Sequence, residues 1–310
     1  MADIVITEFM DEAAVADLRR TYSVLYEADL VDRPGDLSAG LAEARALIVR
    51  NRTQVRGALL AGAGKLRCIG RLGVGLDNID AEACRARDIA VYPATGANDT
   101  SVAEYVLATA MTLLRGAYGA TAAVAAGTWP RSRLMGREIA GKRLGLVGFG
   151  AIARETAVRA RALGMTIAGY DPYVPPDDPA WRDAQRQELP ALLDESDVVS
   201  LHVPLTEGTR DLIDAAAIAR MRPDAILINA ARGGVVDEAA VAAALRERRL
   251  GGAALDVFET EPLKGAPAER FRDVPNLILT PHIAGVTVES NVRVSWLIAD
   301  RVRARLDGLK

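Results

Sequence analysis

Residues 144–153 have the sequence LGLVGFGAIA, in which an apolar run ends in a glycine turn and a helix-like segment follows. A second apolar run, residues 166–170, ends at Asp171. The order strand, glycine turn, helix, strand and acid is that of a dinucleotide-binding βαβ unit. Because the whole unit is present in register, this stretch predicts a cofactor site rather than a purely structural turn.

Each residue of the turn has a physical role in the predicted site. Gly148 permits a tight turn, and Gly150 lets the backbone approach a pyrophosphate. Ala151 and Ile152 begin a helix whose N-terminus favours negative charge. Asp171 lies 23 residues beyond Gly148, which suits a carboxylate that binds the adenosine ribose hydroxyls.

The composition of the 310 residues excludes several classes of protein. This length suggests about two domains. A net charge of −3 without a basic tract argues against nucleic acid and anionic membranes as partners. The N-terminus does not resemble a signal peptide, and no apolar run is long enough to span a bilayer. We therefore expect a cytoplasmic protein whose two cysteines, Cys68 and Cys84, are buried thiols rather than metal ligands.

Short β-like runs alternate with helix-like segments along the chain, which predicts an α/β fold with parallel sheets. A long helix is predicted from about Ser101 to Leu114, with a capping box between Ser101 and Glu104. A final helix over 288–306 could return to the first unit, so that the cofactor domain is an insertion. We predict a substrate domain over 1–97 plus 283–310 and an NAD-binding Rossmann domain over 98–282.

Chemically informative residues follow several of the predicted strands, where ligands of open parallel sheets bind. They include a histidine, an arginine and carboxylates, which suit hydride transfer between nicotinamide and a carbonyl or alcohol. Structural alternatives exist: Arg232 could cap a helix, and His202 could be structural or lie near the cofactor. Spacing alone leaves open whether Glu259 or Glu261 faces His282.

The chain resembles the D-isomer-specific 2-hydroxyacid dehydrogenases over nearly its full length. The motifs that carry the resemblance are the glycine turn at Gly148, RLGVGLDNID at 71–80, NAARGGVVD at 229–237, ALDVFETEP at 254–262 and Pro281-His282. This resemblance implies two Rossmann-like domains with the active site between them. It also implies that the substrate domain is flavodoxin-like and holds both chain ends.

The resemblance further implies a role for individual residues. It makes Arg232 the catalytic arginine, His282 the general acid/base and Glu261 its carboxylate partner. The substrate-binding residues would include Gly73, Val74, Gly75 and Asn78, and the amides of the glycine turn would receive the substrate carboxylate. Asp171, followed by Pro172 rather than an arginine, implies NAD and not NADP. The implied cofactor-binding residues are Gly148, Gly150, Ala151, Ile152, Asp171, His202, Pro204, Thr209, Ala230, Arg232, Asp256, His282 and Gly285.

Arg50 and Arg52 end a predicted strand and suggest a second anionic group on the substrate. Segments 98–104 and 281–287 resemble the sulfolactate branch of the family, whereas 133–138 and the NAARGG stretch at 229–234 resemble phosphoglycerate dehydrogenases. The substrate would then be sulfolactate or 3-phosphoglycerate. If both arginines are merely solvated, a glyoxylate/hydroxypyruvate reductase is the alternative. Another alternative is an NAD(H)-sensing corepressor. The family resemblance also implies a homodimer formed through the cofactor domain, and no metal.

Overall fold

The computed structural model describes residues 2–309 and divides the chain into two compact units. Unit 1 comprises Met1–Asn98 and Val286–Lys310, and unit 2 comprises Asp99–Gly285. The chain thus leaves unit 1 once, completes unit 2 and returns. Every strand pair in both sheets is parallel, which confirms the predicted α/β class.

The sheet of unit 1 has the strand order β2-β1-β3-β4-β5, which is that of flavodoxin-like folds. Its strands are β1 (Ile4–Ile6), β2 (Val24–Tyr26), β3 (Ala46–Val49), β4 (Cys68–Arg71) and β5 (Ala90–Pro93). In the centre, Val5 pairs with Leu47 on one side and Leu25 on the other. The central strands are buried on both faces, and their sequences are accordingly continuous apolar runs.

Helices cover both faces of this sheet. They are α1 (Glu12–Arg19), α2 (Pro34–Leu41), α3 (Gly57–Gly62), α4 (Ala81–Ala86) and the C-terminal helix α12 (Val288–Asp307). Helix α12 begins with a reciprocal capping box, in which the amides of Thr287 and Ser290 each donate to the other's hydroxyl. Its apolar face, including Ile298 and Val302, completes the core of unit 1.

The sheet of unit 2 has the order β12-β11-β10-β9-β6-β7-β8. Its strands are β6 (Arg143–Val147), β7 (Thr166–Tyr170), β8 (Gln185–Arg186), β9 (Val198–Leu201), β10 (Ile226–Asn229), β11 (Gly252–Leu255) and β12 (Leu277–Leu279). Counted from β6, this is the doubly wound Rossmann order with one added edge strand, β12. The strand order reverses between β6 and β9, where such sheets bind their ligands.

Unit 2 has seven α-helices in the described chain. They are α5 (Asp99–Arg115), α6 (Thr121–Ala125), α7 (Ala151–Ala162), α8 (Leu189–Glu195), α9 (Ala215–Arg220), α10 (Glu238–Arg246) and α11 (Ala266–Glu269). Helices α5 and α7 pack together over one face around Phe149 and Leu144. Across residues 2–309, no helix combines the length and the apolarity needed to cross a membrane.

The apolar run at 166–170 is strand β7 and the predicted final helix at 288–306 is α12, but one expectation is wrong and one strand was not predicted. Helix α5 begins at Asp99, so Ser101 is a buried residue inside the helix and does not cap it. Glu104 is exposed one turn further on, and the predicted capping box is wrong. Strand β8 was not predicted, because two polar residues carry no hydrophobic pattern.

Gly70 in β4 is required by the packing of α12, which generates a test of the fold. A Cβ at this position would overlap Ile298 Cγ2 and lie 3.1 Å from Val302 Cγ2. We expect Gly70→Ala to lower the free energy of unfolding by about 1–3 kcal/mol, measured by urea denaturation. Gly62→Ala is the control, because its Cβ would meet nothing within 4 Å. Equal stability of the two variants would contradict the packing described.

Candidate active site

The turn after β6 contains two glycines, and the structure gives a different reason for the absence of a side chain at each. Gly148 has φ +87°, and a Cβ there would lie 2.9 Å from the carbonyl carbon of His202. The chain itself therefore requires a glycine at this position. Gly150 has φ −75°, and a Cβ there would face open space. No contact in the described chain requires a glycine at position 150. A ligand that approaches the backbone here would explain why a side chain is absent.

The N-terminus of α7 presents unused hydrogen-bond donors. The first hydrogen bond of the helix runs from the Arg154 amide to the Gly150 carbonyl. The amides of Gly150, Ala151 and Ile152 have no acceptor among the described residues. Three aligned N–H groups at the positive end of a helix suit a pyrophosphate.

Asp171 is held in place by the turn that it faces. Its Oδ2 accepts a hydrogen bond from the Phe149 amide at 2.8 Å, and its Oδ1 accepts one from the Tyr173 amide at 2.9 Å. Each oxygen keeps a further lone pair. The carboxylate is thus fixed beside the glycine turn and can still accept hydrogen bonds from two ribose hydroxyls.

His202, Pro204 and Thr209 lie in the loop that follows β9. The Thr209 hydroxyl donates to the Pro204 carbonyl at 2.6 Å and closes this loop. Burial lowers the pKa of His202 to about 4, and its Nε2 lies 3.0 Å from the Ser200 hydroxyl. His202 is therefore neutral at physiological pH and does not provide a proton.

The side chains at the ends of β10, β11 and β12 come together in unit 2. His282 Nδ1 lies 2.8 Å from Glu261 Oε2, which makes Glu261 the carboxylate that orients the ring. The Glu259 amide instead donates to Glu238 Oε1, a buried carboxylate that opens α10. With Nδ1 donating to Glu261, the Nε2 atom is left as the nitrogen that exchanges a proton with a substrate.

The charge state of Glu261 follows from its neighbours. Burial acts to raise its pKa, but the hydrogen bond and charge of His282, the Phe258 amide and the charge of Arg232 outweigh burial. The pKa of Glu261 therefore lies below its ordinary value, and the carboxylate stays ionised at neutral pH. Glu261 can then hold a protonated imidazole in one orientation.

Arg232 reaches this group through a tightly packed loop. The side-chain Nδ2 of Asn229 donates to the Arg232 carbonyl at 2.9 Å, and its Oδ1 accepts from the backbone amide of Ala231 at 3.1 Å. A Cβ on Gly233 would overlap the Phe258 carbonyl, so the loop after β10 lies directly against the loop that carries Glu261. Ala230 follows β10 directly and Gly285 lies beyond β12, and both residues are half-buried.

The carboxylate of Asp256, which the resemblance implies to be a cofactor-binding residue, accepts hydrogen bonds from the turn beyond β12. It is buried, and Oδ1 accepts from the Ile283 amide at 2.8 Å and from the Thr280 hydroxyl at 2.6 Å. Oδ2 accepts from the Ala284 amide at 2.8 Å. The Asp256 carbonyl also accepts from the amide of His282, whose φ of +56° is left-handed. Asp256 thus fixes the turn that presents the imidazole.

Sequence reasoning missed two residues that support Asp256. The Thr280 hydroxyl donates to Asp256, and Tyr105 in α5 lies 2.6 Å from the Thr280 hydroxyl. Burial raises the pKa of Tyr105 to about 12, so its phenol remains a donor. No local pattern could reveal this chain of contacts, because Tyr105 and Thr280 are 175 positions apart.

In unit 1, the glycine turn after β4 also presents free amides. The Gly73 amide donates to the Arg71 carbonyl, which leaves the amides of Val74 and Gly75 without an acceptor among residues 2–309. The buried Arg71 side chain donates to the carbonyls of Leu72 and Gly75, each at 2.9 Å. These two carbonyls are thereby occupied, and the Arg71 guanidinium lies against the turn. The positive charge and the free amides together favour the binding of a carboxylate.

The other predicted substrate residues of unit 1 lie beyond β3. The side-chain Nδ2 of Asn78 donates to the carbonyls of Arg50 and Thr53, so Asn78 supports the loop at 50–53. The guanidinium of Arg52 binds both oxygens of Asp32. Arg50 is half-buried and contacts Asn291.

Comparison with known proteins assigns the chain to a family. The family model for the NAD-binding domain of D-isomer-specific 2-hydroxyacid dehydrogenases matches residues 107–284. The chain is 59% identical over 307 residues to an (S)-sulfolactate dehydrogenase from Chromohalobacter salexigens, with 99% of each chain covered. It is 37% identical to a D-3-phosphoglycerate dehydrogenase from Methanocaldococcus jannaschii, covering 99% of this chain but only 58% of that protein.

A solved structure supports the same assignment. The crystal structure of a D-lactate dehydrogenase from Aquifex aeolicus, complexed with NAD and lactic acid, matches with a TM-score of 0.86 and 29% sequence identity. The match covers 98% of this chain and 96% of that one. The fold match therefore extends over both units of the chain.

The open space at Gly150 generates a test of the cofactor site. We expect Gly150→Ala to weaken NADH binding about tenfold or more, because the new methyl group occupies the approach to the turn. The unfolding midpoint should not change, since the methyl group meets no protein atom within 4 Å. NADH fluorescence titration measures the binding, and Gly62→Ala, whose Cβ would also meet nothing within 4 Å, is the control. Unchanged NADH affinity in Gly150→Ala would place the pyrophosphate elsewhere.

Proposed function

Because the chain belongs to the D-isomer-specific 2-hydroxyacid dehydrogenase family, we propose that it interconverts (S)-3-sulfolactate and 3-sulfopyruvate. Membership makes it an NAD-dependent oxidoreductase. The observation that carries the choice of substrate is the 59% identity to the Chromohalobacter enzyme across 99% of both chains. The phosphoglycerate dehydrogenases are less similar, and the chain spans little more than half of their length.

The (S) descriptor of sulfolactate is compatible with a D-specific family. In lactate, the carboxyl group takes priority over the methyl group at C3. In 3-sulfolactate, sulfur on C3 gives the CH2 group priority over the carboxyl group, which exchanges the descriptors (R) and (S). (S)-Sulfolactate therefore has the same spatial arrangement around C2 as D-lactate. The hydroxyl group and hydrogen atom of both compounds can face the same catalytic groups.

In the proposed reaction, unit 2 provides the proton transfer. When bound, NAD would supply the acceptor for the hydride that leaves C2 of the hydroxyacid. Nε2 of His282 takes the hydroxyl proton, and in the reverse direction it returns this proton to the carbonyl oxygen. Glu261 holds the ring through Nδ1, and Arg232 binds the carboxylate and polarises the carbonyl group.

We assign unit 2 as the cofactor domain and unit 1 as the substrate domain. The amides of Ala151 and Ile152 would hold the cofactor pyrophosphate, and Asp171 would hold the adenosine ribose. The amides of Val74 and Gly75 receive the substrate carboxylate. Arg50 then binds the sulfonate at the other end of the substrate.

We further propose that the enzyme is a cytoplasmic homodimer. Three large apolar side chains between α5 and β6 are exposed: Tyr118 by 68%, Trp129 by 79% and Met135 by 84%. Several large exposed apolar side chains in one segment are typical of a surface that another protein covers. The two cysteines are buried free thiols, which suits a reducing compartment.

A panel of 2-oxoacids tests the substrate. With NADH oxidation followed by absorbance, we expect kcat/KM for 3-sulfopyruvate to exceed that for pyruvate, glyoxylate and hydroxypyruvate by about 100-fold, since one charged contact is worth several kcal/mol. 3-Phosphohydroxypyruvate belongs in the same panel. Comparable turnover of hydroxypyruvate and glyoxylate would instead make the protein a general reductase.

His282→Ala tests the assignment of the acid/base. We expect kcat to fall by about 100-fold to 10,000-fold, because no other group provides the proton. The dissociation constant for NADH, measured by fluorescence titration, should stay within about twofold of wild type if the imidazole acts on the substrate. A folded variant that loses NADH binding would show that His282 holds the cofactor instead.

A further inference from the structure

Arg50 is a partly buried cation with no carboxylate partner in the described chain. Its Nη2 donates to Asn291 Oδ1 at 2.5 Å, and its guanidinium carbon lies 5.5 Å from the centre of the Phe9 ring. Its Nε is buried and has no acceptor. Burial lowers the pKa of Arg50, although Glu8 acts in the opposite direction. Holding an unneutralised charge in this way costs free energy, which a bound anion would offset.

The nearby carboxylate of Glu8 does not form an ion pair with this guanidinium. Glu8 is buried, and it accepts hydrogen bonds from the amides of Arg50, Arg52 and Thr53 at 2.9, 3.2 and 3.1 Å. It also accepts one from the Thr53 hydroxyl at 2.9 Å. Its lone pairs are therefore used to fix the backbone of the loop that carries Arg50.

Arg52 is in a different state from Arg50. Both terminal nitrogens of its guanidinium contact Asp32, and the side chains of both residues are 55% exposed. Its charge is already neutralised and solvated. Of the two arginines that the sequence suggested for the second anion, only Arg50 has no carboxylate partner among the described residues.

We propose that Asn291 is a specificity-positioning residue, which orients the Arg50 guanidinium toward the sulfonate of the substrate. The inference rests on the proposed sulfolactate dehydrogenase function and adds a residue to it. A neutral amide oxygen holds Nη2 without cancelling the charge, whereas a carboxylate here would compete with the substrate. The Phe9 ring lies over one face of the guanidinium, and this cation–π contact holds the group without using its N–H donors.

This arrangement also favours one class of anion. Arg52 is paired to Asp32 and the Glu8 carboxylate faces backbone amides, so Arg50 presents the one guanidinium of this loop without a carboxylate partner among the described residues. A sulfonate carries one negative charge, while a phosphate monoester carries about −1.5 to −2 at neutral pH. The phosphate would therefore keep an unmatched charge after it leaves water, which disfavours it. The preferred substrate thus has a sulfonate, not a phosphate, at the end remote from C2.

Two substitutions at Asn291 test the inference. We expect Asn291→Ala to raise KM for 3-sulfopyruvate about tenfold with little change in kcat, because Arg50 loses its orienting bond. Asn291→Asp should raise this KM further, since the new carboxylate pairs with Arg50. Neither substitution should alter KM for glyoxylate, which has no second anion. In wild type, 3-phosphohydroxypyruvate should have a lower kcat/KM than 3-sulfopyruvate.

The controls separate this inference from the proposed function. Arg52→Ala should change KM for 3-sulfopyruvate by less than about threefold, as expected for an exposed ion pair. If Arg50→Ala abolishes the preference for 3-sulfopyruvate while Asn291→Ala has no effect, the role of Asn291 is wrong and the proposed function stands. Equal effects of both Asn291 variants on 3-sulfopyruvate and glyoxylate would also overturn this role. If wild type shows no preference for 3-sulfopyruvate, both proposals fail.

Discussion

The buried carboxylate of Asp256 is the constraint on which the candidate catalytic group of unit 2 depends. It joins the end of β11 to the turn beyond β12 through two amides and one hydroxyl. An ionised group is stable at such a site only when hydrogen bonds replace its hydration. The turn cannot relax without leaving the carboxylate unsatisfied, and His282 therefore keeps its left-handed backbone and its contact with Glu261.

The anion-binding features of the two units follow one physical rule. At α7 and at the turn beyond β4, backbone amides are left without acceptors while neighbouring groups are satisfied. At Arg50, a guanidinium is left without a carboxylate because Glu8 is occupied by amides. In each case hydrogen-bond donors stay unpaired, because the nearby acceptors of the chain already bind other groups. Preorganised donors of this kind bind anions without first breaking an internal hydrogen bond.

The sequence predicted the features that depend on local pattern. Buried parallel strands are continuous apolar runs, so their ends, and with them Asp171, Arg232 and His282, could be located. Spacing could not choose between Glu259 and Glu261, because only the backbone path after β11 decides which carboxylate turns toward the imidazole. The pairing of Arg52 with Asp32 and the contact of Arg50 with Asn291, 241 positions away, depend on tertiary packing. Such contacts leave no signal in a local pattern.

The return of α12 to unit 1 affects the order in which the protein can fold during synthesis. Ile298, Val302 and Leu306 fill a core whose strands are made some 200 or more residues earlier. On the ribosome, helix α1 covers part of this face of the first sheet, and the part that α12 will cover stays exposed while all of unit 2 is translated. Unit 2 can complete its own core before the helix emerges. The part of the chain that is made first is thus the last to become stable, and until then it is the part most exposed to chaperones and to aggregation.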